Sequence, residues 1–190
     1  MGTMTPHRRG AGGQQAPVAT TAVLAGVVLA ALVAGCAPRA ARSPAPPRVV
    51  FTIQKLAGHL YELSYDAGGY PDKIIASVGD DGLLLVDTGQ RHVGKALADT
   101  LAAFGKGMPR IVVNTHSHIE HLGGNPAVGR GAVIVAHRNV RERYLTGLYA
   151  FGDFPAEALP GLTFTDSLTL HFNGEDVRLV AFPGAHDDSD

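Results

Sequence analysis

The sequence predicts an α/β or α+β layered domain in which helices cover a mixed β-sheet. Short apolar segments, many of them rich in valine, isoleucine and leucine, recur through residues 49–190 and are bounded by glycine, proline or asparagine. Two longer stretches between them carry apolar residues at helical spacing. Strands that alternate with helices in this way are typical of domains in which the helices pack on the sheet.

The first half of the domain is predicted to contain four strands and one helix. Residues 49–53, 59–65 and 73–78 are separated by turn-forming glycines, which indicates an antiparallel meander. Residues 82–87 indicate a fully apolar strand. Residues 92–104 place an apolar residue at every third or fourth position, so we predict an amphipathic helix that covers the sheet.

The second half is predicted to begin with a buried strand at residues 111–113 and to continue with another at residues 132–136. Residues 139–151 are predicted to form a helix. Its charged residues are expected to face solvent: Arg141, Glu142 and Arg143.

A hairpin is predicted near the end of the sequence. Residues 164–172 and 175–182 alternate apolar and polar side chains, as half-buried strands do. The dipeptide Asn173-Gly174 between them favours a tight turn. These two segments are therefore expected to pair with each other.

Three histidines and one carboxylate lie within six positions after the strand at residues 111–113: His116, His118, Glu120 and His121. If the backbone stays extended beyond the strand, alternate side chains project to one side, namely positions 116, 118 and 120. Two imidazoles can then bind one cation. His121 breaks the alternation and needs a turn, which would aim it at a second, neighbouring position beside Glu120.

The ligand types favour zinc at this site. Neutral imidazole together with a carboxylate suits Zn²⁺ best among the common metals, although ligand type alone leaves iron and manganese open. Cys36 is the only cysteine, so the site must be built from nitrogen and oxygen. Gly123 and Gly124, directly after the motif, permit the tight backbone path that the turn at His121 requires.

Residues 116–121 resemble the His-x-His-x-Asp-His signature of the metallo-β-lactamase superfamily, which is often followed, as here, by an apolar residue and Gly-Gly-Asn. Two flanking segments occur in the family's order. Residues 82–89 resemble a strand that ends in Asp-Thr-Gly, and residues 183–186 resemble the loop that carries the family's next metal-binding histidine. The resemblance implies the αβ/βα sandwich of that family, of which this chain would contain the N-terminal part.

The resemblance also implies a zinc-dependent hydrolase that acts on a small-molecule substrate. His116, His118 and His186 would hold one zinc ion with a fourth position open for water, and the resulting hydroxide would attack an ester, amide or lactam-type bond. Asp87 would support this site without binding the metal. In this family, loops outside the motif choose the substrate, so a β-lactam is one possibility among several.

Glu120 stands where the family has aspartate. In the family this residue binds a second metal and helps to position the attacking water, so the resemblance gives Glu120 a catalytic role, with His121 as a further ligand. Glutamate is longer by one methylene, whereas metal–ligand distances are held within about 0.2 Å. We therefore expect one zinc ion, with the second site weakened by the longer side chain.

The family's second half, which supplies a metal-bridging aspartate and a last histidine, is expected to be missing from residues 1–190, so one apolar face of the sheet would lack its partner. Three acidic residues near position 190 are expected to be solvated: Asp187, Asp188 and Asp190.

Three interpretations of the sequence remain open. The sequence is a partial copy of a zinc hydrolase, a weak mononuclear hydrolase or metal-binding lipoprotein, or a non-catalytic envelope lipoprotein.

Residues 1–35 are predicted to be a signal peptide. Two arginines precede a nearly unbroken run of small and apolar side chains at residues 18–33. Residues 32–36 read Leu-Val-Ala-Gly-Cys and resemble a bacterial lipobox, so Cys36 would become the lipidated first residue of the mature chain. The run is shorter than the roughly 20 residues that a membrane span needs. These features favour an exported lipoprotein of the periplasm or cell envelope.

Residues 36–48 are predicted to be a tether between the lipid anchor and the domain at residues 49–190. Positions 37–48 contain four prolines and three arginines and no apolar periodicity, which is typical of an extended linker. The formal net charge is −1, and the sequence has no basic stripe with interleaved aromatic residues. Nucleic acid is therefore not expected as a partner.

Overall fold

Seven strands form one mixed sheet in the part of the chain that the structure, a computed structural model, describes: residues 48–147 and 154–190. In chain order and in spatial order they are β1 (Thr52–Ala57), β2 (Leu60–Asp66), β3 (Pro71–Gly79), β4 (Gly82–Val86), β5 (Ile111–Val113), β6 (Val133–His137) and β7 (Leu162–Phe164). The strands β1 to β4 are antiparallel, and β4 to β7 are parallel. A separate antiparallel hairpin consists of β8 (Ser167–Phe172) and β9 (Glu175–Val180).

Helices lie between the parallel strands, which a tight turn cannot connect. A 3-10 turn at Arg91–Val93 and helix α1 (Gly94–Ala102) link β4 to β5. Two four-residue helices, α2 (Ile119–Leu122) and α3 (Asn125–Val128), link β5 to β6, and α4 (Arg138–Leu145) follows β6. The predicted fold class, a mixed sheet flanked by helices, is confirmed.

Helix α1 covers one face of the sheet. Its residues Leu97 and Leu101 are fully buried and belong to one apolar cluster with Leu83 and Leu85 of β4. Burial of each leucine contributes about 1.5–3 kcal/mol. The helix predicted at residues 92–104 therefore exists and covers the sheet as expected, although its first turn is 3-10 and its α-helical part ends at Ala102.

The β8–β9 hairpin covers the opposite face of the sheet. Leu84, Val113 and Val135 point to this face, because side chains alternate along a strand, and they are buried in one cluster with Phe172 of β8. The expectation that one apolar face lacks a partner is therefore wrong for these residues. The hairpin itself supplies the apolar surface that shields them from water.

Two predicted strand boundaries are wrong. The first strand begins at Thr52, not at residue 49, and extends to Ala57, because Ala57 pairs with Leu60 across the turn to β2. Residues 164–172 do not form one strand. Phe164 ends β7, which pairs with β6 of the large sheet, and β8 begins only at Ser167. The alternation of apolar and polar residues does not show that β7 pairs with β6 whereas β8 pairs with β9.

Several predictions lie outside the described residues. The signal peptide, Cys36 and the tether as far as residue 47 belong to this group. The helix predicted at residues 139–151 begins at Arg138 and ends at Leu145, where Thr146 is its C-cap, so its predicted end is wrong. In the ranges 48–147 and 154–190, no helix has both the length and the apolar character needed to cross a membrane.

Candidate metal centre

The predicted ligands gather at the carboxyl ends of the parallel strands. Asp87 follows β4, His116 and His118 follow β5, and His186 lies in the loop after β9. Open α/β sheets form their binding sites at this edge, because the loops that leave neighbouring strands meet there. The β8–β9 hairpin, which precedes this loop, packs on the sheet and thereby brings His186 to His118 across 68 residues of sequence.

Three histidines form a group that could hold a metal ion: His116, His118 and His186, whose ligand nitrogens lie within 4.8 Å of one another. Nε2 of His186 and Nδ1 of His118 are 3.1 Å apart. Two nitrogens bound to a tetrahedral zinc ion at about 2.0–2.1 Å are separated by roughly 3.3 Å. Small movements of these side chains would therefore accommodate one ion.

Nε2 of His116 is buried and has no hydrogen-bond partner among the described residues. The other ring nitrogen, Nδ1, is 3.1 Å from Thr115 Oγ1, and Thr115 Oγ1 donates its own hydrogen to Asp87 Oδ2 at 2.9 Å. The threonine oxygen therefore accepts a hydrogen bond from Nδ1 of His116, which leaves the lone pair on Nε2. A buried polar atom without a partner is costly, and a metal ion would satisfy this one.

The pKa values of two neighbouring histidines move in opposite directions. Burial, reinforced by the charge of His121, lowers the pKa of His116. Burial would also lower the pKa of His121, but the hydrogen bond and the charge of Asp87 outweigh it and raise that pKa. Because metals bind neutral imidazole, the lowered pKa of His116 favours its role as a ligand.

Asp87 fixes two residues beside the histidine group. Its Oδ1 accepts the Thr115 backbone N–H at 2.8 Å, and its Oδ2 accepts the Thr115 hydroxyl at 2.9 Å and Nδ1 of His121 at 2.8 Å. The backbone φ of Asp87 is 66°, in the left-handed region that few residues other than glycine adopt. This geometry suits the supporting role that the sequence resemblance implied.

Glu120 and His121 lie outside the three-histidine group. The strand ends at Val113, the backbone bends at residues 115–117, and α2 begins at Ile119, so the predicted alternation through position 120 is wrong. Oε1 of Glu120 is 3.9 Å from Nδ1 of His118, and the Glu120 side chain is 46% exposed. The ring of His121 lies beside that of His116, with 4.1 Å between the ring centroids.

Gly123 and Gly124 are needed for close packing more than for their backbone angles. Their φ values, −59° and −79°, are ordinary helical ones. A Cβ atom on Gly124 would lie 2.2 Å from the Thr88 carbonyl oxygen, and one on Gly123 would lie 2.5 Å from the Arg91 nitrogen. The backbone after the motif therefore packs directly against the loop after β4, which places His121 next to Asp87.

An ion pair that was not predicted from the sequence adjoins the histidine group. Arg143 and Asp187 were expected to be solvated, but their side chains are only 16% and 12% exposed and form an ion pair at 2.7 Å. Burial would raise the pKa of Asp187, but hydrogen bonds from Ser189 and Ser117 and the charge of Arg143 lower it to about 2. The expectation that Arg143 and Asp187 are solvated is therefore wrong. The two residues lie 44 positions apart in the sequence, and only the tertiary structure brings them together.

A cleft with a volume of about 430 Å³ opens beside Glu120. Its lining residues come from the β2–β3 turn, the start of β3, the loop after β4 and helix α2: Tyr70, Pro71, Asp72, Gln90, Ile119 and Glu120. The volume lies in the range of roughly 300–1,000 Å³ that small-molecule sites occupy. A larger cleft, of about 680 Å³, lies around Arg110 and Arg130 at the amino ends of β5 and β6, away from the histidines.

Comparison with known families gives one match. Residues 74–188, more than half of the chain, match the family model described as the metallo-beta-lactamase superfamily. No curated protein matches the sequence significantly.

Solved structures of related fold include a metallo-beta-lactamase from Pontibacter korlensis, at 22% identity and a TM-score of 0.60 over 73% of this chain and 64% of that one. A class B3 di-zinc metallo-beta-lactamase, LRA-12, from an Alaskan soil metagenome has 21% identity, a TM-score of 0.60 and coverages of 74% and 55%. A variant of the flavo di-iron protein from Thermotoga maritima has 15% identity, a TM-score of 0.57 and coverages of 75% and 39%. This chain thus spans less than two thirds of each, and identities this low speak for the fold alone.

Proposed function

This chain belongs to the metallo-beta-lactamase superfamily, and on that premise we propose that it is a zinc-dependent hydrolase of ester, amide or lactam-type bonds. The observation that carries the proposal is the buried Nε2 of His116, which lacks a hydrogen-bond partner within the described residues and lies in a group of three histidines. Members of this superfamily are mostly hydrolases, and the histidines suit the nitrogen ligands that zinc prefers.

The roles of the histidines and their supports follow from the contacts. His116, His118 and His186 would hold the ion, which when bound would supply an activated water and a Lewis acid for the substrate carbonyl. Thr115, held by Asp87, fixes the tautomer of His116 that presents Nε2. Hydrogen bonds of this kind to ligand histidines orient the ring and increase its basicity.

Glu120 is the residue to which we assign proton transfer. It lines the cleft, its Oε1 lies 3.9 Å from Nδ1 of His118, and its half-exposed carboxylate can accept and release a proton. A substrate bound between Tyr70 and Ile119 would lie next to this carboxylate. Together with His121, Glu120 also offers a weaker second metal position.

A hydrolysis screen tests the proposal. The purified 190-residue chain, with zinc or with a chelator, is assayed on a lactam, a lactone, a thioester and an aryl ester. We expect zinc-dependent turnover of at least one substrate, and we expect Glu120→Gln to lower its rate by about 10²–10⁴-fold while zinc binding persists. His171→Ala, which removes an exposed histidine on β8, is the control and should keep the wild-type rate.

Absence of turnover from the zinc-loaded chain on every substrate would contradict the hydrolase proposal and favour a non-hydrolytic metal-binding protein. The longer side chain of Glu120, outside the histidine group, is the observation that would agree with that alternative.

We also propose that the protein is an exported lipoprotein anchored through Cys36. The support is the sequence of residues 1–36, with its apolar run and lipobox-like end. Membrane fractionation of a bacterial host that expresses the chain tests this. The wild-type chain should sediment with membranes and incorporate labelled palmitate, whereas equal labelling of Cys36→Ser would contradict the proposal.

A further inference from the structure

Two loops that carry the histidines meet at one arginine. The loop after β5 carries His116 and His118, with Ser117 between them, and the loop after β9 carries His186 followed by Asp187. Arg143, on helix α4, contacts both loops. Its Nη1 donates to Ser117 Oγ at 2.8 Å and to Asp187 Oδ2 at 2.7 Å.

The three side chains form a closed triangle of hydrogen bonds. Ser117 Oγ donates to Asp187 Oδ2 at 2.9 Å, so each loop is bonded both to Arg143 and to the other loop. The second guanidinium nitrogen, Nη2, forms an ion pair with Asp188. The hydroxyl of the next residue along α4, Tyr144, donates to the Ser117 carbonyl at 3.1 Å. The end of α4 therefore holds both loops.

These contacts are shielded from water. Ser117 is fully buried, and the side chains of Arg143 and Asp187 are 16% and 12% exposed. Ion pairs in such surroundings are screened less by salt than surface pairs are. Asp187 also accepts hydrogen bonds from the backbone and the hydroxyl of Ser189, which fold the β9 loop around its carboxylate.

Each contact lies one residue away from a histidine of the metal group. A shift of Ser117 moves His116 and His118, and a shift of Asp187 moves His186. Within the described part, a direct bond of 3.1 Å between Nε2 of His186 and Nδ1 of His118 joins histidines of the two loops. An ion would replace this bond, so another contact must hold the loops at ligand distance from each other.

We propose that Arg143 is a positioning residue of the metal centre, which sets metal affinity by holding the Ser117 loop and the Asp187 loop together. The inference rests on the proposed zinc site. The planar guanidinium presents several N–H donors in a fixed fork and can bond both loops at once. A lysine ammonium at this place would keep the charge but not the fixed geometry.

The expected size of the effect follows from what metal sites tolerate. Ligand distances must be held within about 0.2 Å, and loss of a partner that orients a ligand lowers metal affinity by about 10–100-fold. We expect the zinc dissociation constant of Arg143→Ala to rise by about 10–100-fold. We expect Arg143→Lys to give a smaller rise, because it restores the charge alone.

The control variant is Arg141→Ala, on the same helix. Arg141 is also partly buried, but its Nη1 donates at 2.7 Å to the carbonyl of Pro160, a residue that belongs to neither histidine loop. Zinc affinity is measured on the full 190-residue chain by competition with a chromophoric chelator. The visible absorption spectrum of the Co²⁺ form reports the ligand geometry, and hydrogen exchange of residues 183–190 without metal reports the order of the loop.

The proposal predicts weaker zinc binding and a changed Co²⁺ spectrum for Arg143→Ala, with Arg141→Ala equal to wild type. An Arg143→Ala chain that is folded and binds zinc within threefold of wild type overturns it. If Arg143→Ala fails to fold, Arg143→Lys decides in the same way.

Failure of the proposed zinc site is a different result. If the wild-type chain binds no zinc, the proposed function fails, and hydrogen exchange then decides whether Arg143 holds the loop. Faster exchange of residues 183–190 in Arg143→Ala than in Arg141→Ala supports that positioning role, and equal exchange overturns it.

Discussion

Tyr65 has its phenol buried beside the loop that leads from β4 to the metal centre. Its hydroxyl donates to Asp72 Oδ2 at 2.6 Å and accepts the Gln90 backbone N–H at 3.2 Å. A Cβ atom on Gly89 would lie 2.6 Å from the same oxygen, so the loop packs tightly on the ring. Burial and the hydrogen bond to Asp72 raise the pKa of Tyr65 well above its usual value.

A tyrosine whose pKa is raised in the folded state stabilises the fold at low and neutral pH and loses this contribution as pH rises. The contribution is fully present below the unfolded pKa of about 10 and declines above it, because the unfolded chain ionises first. The decline amounts to at most about 1.4 kcal/mol per pH unit for one proton.

We therefore predict that Tyr65→Phe flattens the loss of stability above pH 10. At neutral pH the variant should be less stable by about 1–2 kcal/mol, because it lacks the hydrogen bond to Asp72. Urea unfolding followed by circular dichroism between pH 8 and 11.5 measures both effects. Tyr70→Phe, at an exposed position, is the control. An unchanged alkaline slope in Tyr65→Phe would refute the prediction.

Site residues were predictable from the sequence where they belong to a short, recognisable motif. His116 and His118 stand within one short motif, and His186 follows a recognisable Pro-Gly turn. Arg143 was not predictable, since its partners lie 26 and 44 residues away and its helix pattern placed it among solvent-facing charges. Helical periodicity identifies the apolar face, but it does not tell which charged residue at the edge of that face has a buried partner.

At the scale of elements, the β8–β9 hairpin is held on the sheet by its turn residue. Asn173 is buried with a φ of 52°. Its side chain accepts the Asp81 backbone N–H at 2.9 Å and donates to Ser77 Oγ at 2.9 Å and to the Gly82 carbonyl at 3.3 Å. These bonds join the hairpin turn to the β3–β4 turn across more than 90 residues of sequence.

We predict that Asn173→Ala lowers the free energy of unfolding by about 3 kcal/mol, through lost buried hydrogen bonds and an unfavourable left-handed φ for alanine. Asn173→Gly removes the φ penalty but not the lost bonds, so it should fall between Asn173→Ala and wild type. Thermal unfolding measures the differences. His171→Ala, which removes an exposed ion pair on the same hairpin, should stay within about 0.5 kcal/mol of wild type. An Asn173→Ala variant as stable as His171→Ala would contradict this account of the hairpin.

Elements were predictable where their pattern was long and regular, as in α1 and the β2–β3–β4 meander. Helix α2 was missed because four residues are too few for helical periodicity to appear. The break between β7 and β8 was missed because apolar and polar residues alternate in both strands, and only the tertiary structure decides which sheet each one joins.

At the scale of the whole molecule, the described residues build a sheet that is covered on both faces and open at one edge. α1 packs on one face and the β8–β9 hairpin on the other. The parallel strands end together at the edge where the histidines meet. The sequence motif at residues 116–121 indicated the family. The proximity of His186 to that motif depends on the packing of the β8–β9 hairpin on the sheet.

Zinc content after dialysis shows whether three histidines from two loops bind one metal ion. The wild-type chain should retain about one zinc ion per chain, because three histidine ligands hold zinc in catalytic sites that keep a fourth position open. His116→Ala and His186→Ala should each lose that zinc, and His171→Ala should keep it. A wild-type chain that retains no zinc, or a His116→Ala chain that retains as much as wild type, would contradict the claim.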